Sequence, residues 1–201
     1  MKILVITGGI GSGKSVACSI LEEKFGWKVY AADTKVKQLY MSHPTLLSEI
    51  ERDMGMSLRN TQGDFIPHYL AERIFSDREA LEKVESRVFP VLMEDFEKWK
   101  ADNSHCDVLI LESATILEKP QLAALGDYKV IIDAPFELRM KRASERDGVT
   151  VEKVRMRGRN QTLMNEVSRG VRADMADEVI VNDGDMAEFE EKLLDLRKKL
   201  L

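Results

Sequence analysis

Cysteine is nearly absent from this chain. The two thiols, Cys18 and Cys106, stand far apart in 201 residues and form no C-x-x-C pattern. That excludes a disulfide scaffold and a thiolate zinc site, and it fits a reducing compartment. No apolar run approaches the ~20 residues that a membrane-spanning helix needs. Residues 1–7 are too short for the apolar stretch of a signal peptide and lead straight into a glycine-rich turn. Basic residues are not in excess either. Thirty Lys plus Arg stand against 35 Asp plus Glu, a net charge of −5, so the chain lacks the global charge of a dedicated nucleic-acid binder. The three histidines, His43, His68 and His105, show no metal-ligand spacing. What is present is enough for a core: 44% hydrophobic and 32% charged residues mark a folded chain, expected to be one soluble cytoplasmic domain.

Short continuous apolar runs, Ile3-Leu4-Val5-Ile6, Val108-Leu109-Ile110-Leu111 and Val130-Ile131-Ile132, read as strands buried on both faces of a parallel sheet. Val29-Tyr30-Ala31 and Val179-Ile180-Val181 are shorter candidates. Helical patterns lie between them. One runs from about Lys14 to Phe25 and stops at Gly26. A second, capped by Ser76-Asp77, carries Leu81, Val84, Val88, Val91 and Trp99 on one stripe and is expected to kink or break at Pro90. Pro135 suits the first turn of a third. In the last, Met186, Phe189, Leu193, Leu196 and Leu200 share a face behind an Asp185 cap. Strands alternating with helices predict an α/β domain with a parallel sheet, interrupted by a helical insertion over about 33–101.

Gly8-Gly9-Ile10-Gly11-Ser12-Gly13-Lys14-Ser15 satisfies G-x-x-x-x-G-K-[ST] in full, after a strand and at the start of a helix. Glycines allow successive backbone N–H groups to turn inward as an anion nest, and the helix adds its positive dipole end. Lys14 is placed to reach the β- and γ-phosphates of a nucleoside triphosphate, and the Ser15 hydroxyl to coordinate Mg²⁺.

Asp33 follows the second strand at the sheet edge where ligands bind in open α/β folds. It reads equally as a base for an acceptor hydroxyl, a holder of a magnesium-bound water, or a helix N-cap for 34–40. Glu112 ends the third strand on the same edge, a second candidate for metal or substrate work beside the plain reading of a strand-end acid. Residues 139–172 carry ten Lys plus Arg and four Asp plus Glu, a local +6 that leaves −11 for the rest. Arg139, Arg142 and Arg146 share one helix face, with Arg155, Arg157 and Arg159 beyond. A lid whose guanidinium groups close over phosphates is the functional reading; a solvated surface helix and an RNA-binding face are the alternatives. Aromatics are absent from this span, which weakens base stacking.

In order along nearly the whole chain, these segments resemble the dephospho-coenzyme A kinase family. Thr7 through Ser15 matches its opening signature, and Val29-Tyr30-Ala31-Ala32-Asp33 resembles the segment ending in its catalytic base. Leu70-Ala71-Glu72-Arg73-Ile74-Phe75 with Phe89-Pro90 resembles its helical coenzyme A subdomain. Arg142 and Arg146-Asp147-Gly148-Val149-Thr150 resemble the start of its lid, with Arg159-Asn160-Gln161 further on, and Ala176-Asp177-Glu178-Val179-Ile180-Val181-Asn182-Asp183-Gly184 its final strand and adenine-side loop. Departures stand at Ala31, Pro67 and Phe89, where the family usually has Asp, Arg and His, and at Glu112-Ser113-Ala114 in place of an acid-x-Pro segment. The stretch between Gln161 and Ala176 is a few residues longer than usual.

The resemblance implies a P-loop NTPase fold of the nucleoside-monophosphate-kinase type: a five-stranded parallel sheet flanked by helices, with a helical acceptor-binding insertion and an Arg-rich lid. The expected division is a core of 1–33, 106–140 and 176–201, an insertion of 34–105 and a lid of 141–175. It implies transfer of the γ-phosphoryl of Mg·ATP to the ribose 3′-hydroxyl of dephospho-coenzyme A. Asp33, Lys14 and Arg142 would be catalytic. Gly9, Gly11, Ser12, Gly13, Lys14, Ser15, Val16, Arg142 and Asn182 would bind ATP, and Ser15 the magnesium. Asp33, Leu70, Arg73, Phe89 and Glu112 would hold the acceptor. The expected partners are the two small-molecule substrates alone, with no nucleic acid, no membrane and a monomeric state. A nucleoside monophosphate kinase and a P-loop switch or assembly protein are the rival readings.

Overall fold

The computed structural model describes residues 1–159, 166 and 175–201. Five strands, β1 (Lys2–Thr7), β2 (Lys28–Ala31), β3 (Val108–Glu112), β4 (Tyr128–Asp133) and β5 (Glu178–Val181), form one sheet in the order β2-β3-β1-β4-β5. Every pairing is parallel. The apolar runs explain this arrangement. Leu4, Val5, Ile6, Leu109, Ile110 and Ile132 are fully buried, with neighbouring residues of a strand facing opposite sides, as a sheet covered on both faces demands. Each such side chain contributes about 1.5–3 kcal/mol of burial.

The helix α1 (Lys14–Phe25) and the last helix, α9 (Met186–Leu200), close one face of the sheet. Ala17, Cys18 and Leu21 meet Phe189, Leu193, Leu196 and Leu200 over Leu4, Ile6, Val108, Ile110 and Val130. Asp185 caps α9 by accepting a hydrogen bond from the Glu188 N–H at 2.9 Å. Met186, expected on the apolar stripe, is instead 59% exposed. It is the first residue of the helix, one turn before the stripe reaches the sheet.

Two compact units emerge, Met1–Ala31 with Asn103–Leu201, and Ala32–Asp102. The first holds the sheet together with α6 (Pro120–Ala123), α7 (Phe136–Asp147) and α8 (Val151–Arg159). The second consists of α2 (Ala32–Ser42), α3 (Leu46–Met54), α4 (Pro67–Ser76) and α5 (Arg78–Asp102), with a single antiparallel bridge between Arg59 and Phe65. Asp77 starts α5, its carboxylate accepting from the Ala80 N–H at 3.1 Å. The buried stripe of α5 is Ala80, Val84, Val88, Leu92 and Phe96, every fourth residue. It therefore overlaps the expected one only at Val84 and Val88. Nor does Pro90 break the helix. It lies on the exposed side, where water can hydrate the Ser86 carbonyl that proline leaves without a donor. Arg87 ties α5 to α3, donating to both carboxylate oxygens of Asp53 at 2.6 and 3.2 Å and to Glu49 at 3.5 Å. Among the described residues no helix is long and apolar enough to cross a membrane.

Candidate active site

The turn between β1 and α1 leaves the sheet at the carboxyl end of its central strand, beside the carboxyl ends of β3 and β4. Two of its glycines are required by geometry. Gly11 has φ +74° and Gly13 φ +107°, both in the left-handed region. The Ser12 N–H donates to the Gly9 carbonyl at 3.1 Å, closing the turn. Gly13 sits at the N-cap of α1 and brings no side chain of its own to cap the first-turn amides. Lys14 folds over the loop and donates to the carbonyls of Gly8 at 2.8 Å and Gly9 at 3.5 Å. Ser15 and Val16 are exposed on the first turn of the helix.

A residue from a distant part of the chain holds this loop and is itself held by two others. The Asn182 side-chain amide, buried just beyond β5, donates to the Ser12 carbonyl at 2.9 Å. The Asn182 backbone N–H donates to the Asp133 carbonyl at 2.7 Å, and its own carbonyl accepts from Arg142 Nη1 at 2.9 Å. Ile10, at the tip, packs against the cluster of Met140, Ala143 and Val154 that joins α7 to α8.

The arginines of α7 have three different environments. Arg139 is 1% exposed, so the solvated or phosphate-facing row expected from its spacing is corrected. Its Nε lies 3.9 Å from the Asp133 carboxylate, and its guanidinium is 5.6 Å from the Phe136 ring. Burial pushes its pKa down, and the Asp133 charge opposes that. Arg142 is half-buried on Asn182, and Arg146 is exposed and bonded to Asp147. Arg155 pairs with Glu137. The side chains of Arg157 and Arg159 lie outside the described residues, as do residues 160–165 and 167–174, which include Asn160, Gln161 and most of the stretch that follows them. Asp133 escaped the sequence reading. It ends a strand on the ligand-binding edge as Glu112 does, which was the available signal.

Glu112 ends β3 in register with Ile6 on one side and Ala31 on the other. Burial drives the Cys18 thiol up to about 12, with Glu112 adding to the rise and Lys14 opposing it. The acid that ends β3 and the loop lysine thus act electrostatically on the same buried thiol of α1. That thiol is no nucleophile at neutral pH.

In the helical unit, α2 follows β2 without a linking residue, and Asp33 is an exposed acid inside the first turn of α2. The helix begins at Ala32, one residue before the carboxylate. Leu70 is 4% exposed and belongs to the interior of this unit. Arg73 closes α4 through an ion pair with Asp77 at 2.7 Å, and Phe89 is half-buried on α5. His43 accepts from the Leu46 N–H at 3.2 Å and His68 pairs with Glu72 at 2.9 Å, both structural roles. The structure therefore gathers the loop, Asn182, Arg142 and Glu112 within one unit, while Asp33, Leu70, Arg73 and Phe89 belong to the other.

A five-stranded parallel sheet in this order, with a phosphate-binding loop after its central strand, defines a P-loop kinase fold. Solved structures share it. One from Thermus thermophilus superposes with a TM-score of 0.82 at 26% identity, covering 100% of this chain and 98% of that one. A dephospho-CoA kinase from Campylobacter jejuni gives 0.59 at 20% identity, covering 99% and 97%. A shikimate kinase from Acinetobacter baumannii gives 0.56 at 16%, covering 99% and 94%, a likeness of fold alone.

The profile of the family described as "Dephospho-CoA kinase" matches residues 2–188, and the chain belongs to that family. A dephospho-CoA kinase of Bacteroides fragilis (strain YCH46) is 32% identical over 180 residues, 90% of this chain and 84% of the relative. One of Acinetobacter baylyi is 29% identical over 202 residues, 100% and 99% of the two.

Proposed function

We propose that the chain phosphorylates dephospho-coenzyme A with ATP to give coenzyme A and ADP, the last step of coenzyme A biosynthesis. The observation that carries this is the complete phosphate loop, Gly8 to Ser15, held in the sheet of a chain that belongs to the dephospho-CoA kinase family. The acceptor oxygen is the ribose 3′-hydroxyl. Asp33 accepts its proton as the oxygen bonds to the γ-phosphorus and the bond to the β-phosphate oxygen breaks, releasing ADP. Loop amides from Gly11 to Val16 hold the phosphates, and Lys14 leaves the Gly8 and Gly9 carbonyls to neutralise charge on the transferring group. Arg142 and the lid over 141–175 exclude water, which suppresses hydrolysis. Glu112 orients the acceptor from the sheet edge, and Arg73 and Phe89 contribute from the helical unit.

Magnesium fits the donors present. A magnesium ion held mainly by phosphate oxygens and water needs only one or two protein oxygens. The exposed Ser15 hydroxyl at the mouth of the loop is one. When bound there, the ion would supply charge neutralisation on the polyphosphate.

A nucleoside monophosphate kinase or a switch protein is not favoured, since the family match spans nearly the whole chain. The chain also has no N-K-x-D guanine-reading motif. Mass spectrometry of dephospho-coenzyme A incubated with the protein and Mg·ATP tests the proposal, with nucleoside monophosphates in parallel. Gain of one phosphoryl group on dephospho-coenzyme A alone is expected. Transfer to a nucleotide, or ATP loss with no acceptor modified, overturns it.

A further inference from the structure

The loop that holds the phosphates depends on a residue with which it shares no local sequence. Gly13 needs φ +107°, which only glycine adopts readily. The same freedom means that Gly13's own sterics do not hold the peptide plane between Ser12 and Gly13. An outside group must set it if the loop is to be preorganised.

We infer that Asn182 is that group, a positioning residue that aims the Gly13 N–H at the phosphates through its side-chain amide. Among the described residues every peptide bond is trans, so the Ser12 carbonyl and the Gly13 N–H point in opposite directions across one rigid plane. Asn182 Nδ2 donates to that carbonyl at 2.9 Å. Drawing the carbonyl toward Asn182 turns the N–H to the other side.

Asn182 is itself fixed at both backbone groups. Its N–H donates to the Asp133 carbonyl at 2.7 Å, and its carbonyl accepts from Arg142 Nη1 at 2.9 Å. The amide also lies close against the loop: a Cβ at Gly13 would lie 2.3 Å from Nδ2. The family resemblance places Asn182 in an adenine-side loop. The structure assigns its side chain to the phosphate end instead. A link from α7 to the loop follows, because the arginine that holds Asn182 also lies on the helix expected to open the lid.

The inference rests on the phosphate-binding reading of the loop, and its test needs no acceptor. Asn182→Ala removes the amide and keeps both backbone bonds. Calorimetry would measure binding of ATP, of inorganic tripolyphosphate, which has no base, and of adenosine as a competitor, with melting temperature as the check on folding. Losing one buried hydrogen bond of preorganisation should weaken ATP and tripolyphosphate alike, about tenfold, and leave adenosine unchanged. Weaker ATP and adenosine with unchanged tripolyphosphate would place Asn182 at the base and overturn the inference, as would unchanged binding of all three. A wild-type chain that binds neither polyphosphate would overturn the phosphate-loop reading, and this inference with it. If Asn182→Ala does not fold, the wild type decides by NMR. One Asn182 side-chain amide proton resists solvent exchange with and without tripolyphosphate; fast exchange in both states overturns the inference.

Discussion

The Gly11 backbone runs so close to α7 that a Cβ placed on Gly11 would stand 2.1 Å from the Arg139 carbonyl oxygen. That atom is main chain, so it cannot swing aside as a side-chain tip would. Gly11 also holds φ +74°. Gly11→Ala should therefore displace the loop and reduce ATP affinity at least a hundredfold, a loss of about 3 kcal/mol or more. Titration calorimetry reads the loss directly. Near-normal affinity would mean that α7 retreats from the loop without cost.

Asp33→Ala is expected to separate binding from chemistry. The exposed carboxylate on α2 belongs to the helical unit, and the residues that build the phosphate loop belong to the other unit. Removing a general base costs about 10²–10⁴ in rate, whereas ATP affinity should stay within about twofold. Steady-state turnover and ATP titration on the same preparation check this. Equal turnover in the variant would sink the assignment of Asp33 as the base.

The two cysteines should differ sharply in reactivity. Cys18 is buried beneath α1 with its pKa pushed up to about 12, while Cys106 is half-exposed. A disulfide reagent at pH 8 should modify one thiol per folded chain quickly and the second only after denaturation. Peptide mapping that finds Cys18 labelled first would contradict the packing around α1.

Acid should weaken the helical unit through Asp53. The hydrogen bond from Arg87 holds the Asp53 carboxyl below its ordinary value, against an opposing desolvation. A carboxyl depressed in the folded state stabilises above its unfolded pKa, and the effect is lost as pH falls through the folded value. The difference in melting temperature between wild type and Arg87→Met should thus be fully present near pH 6. It should shrink as pH drops from about 4 toward 2. A difference that stays constant with pH would show that Arg87 acts by packing alone.

Much of this architecture could be read from contiguous residues. The apolar runs of β1, β3 and β4, the stop of α1 at Gly26 and the Asp185 cap of α9 are local patterns, and each appears where expected. The phosphate loop was legible for the same reason: its glycines, Lys14 and Ser15 sit within eight consecutive residues. The stripe of α5 was harder to read. Leu81 and Val91 are as apolar as Val84 and Val88, and only the packing of α2, α3 and α4 against the helix selects Ala80, Leu92 and Phe96 for burial.

By itself the sequence determined the strands, several helix ends and a loop able to bind phosphate, because those depend on neighbours along the chain. Only the tertiary structure decided which arginine of a row on one helix face is buried on Asp133 and which one holds Asn182. It alone brought Asn182 to Ser12, 170 residues away. That pairing depends on β4 and β5 lying beyond β1 in the sheet order. Sheet order results from burying every strand at once, and no window of sequence contains that competition.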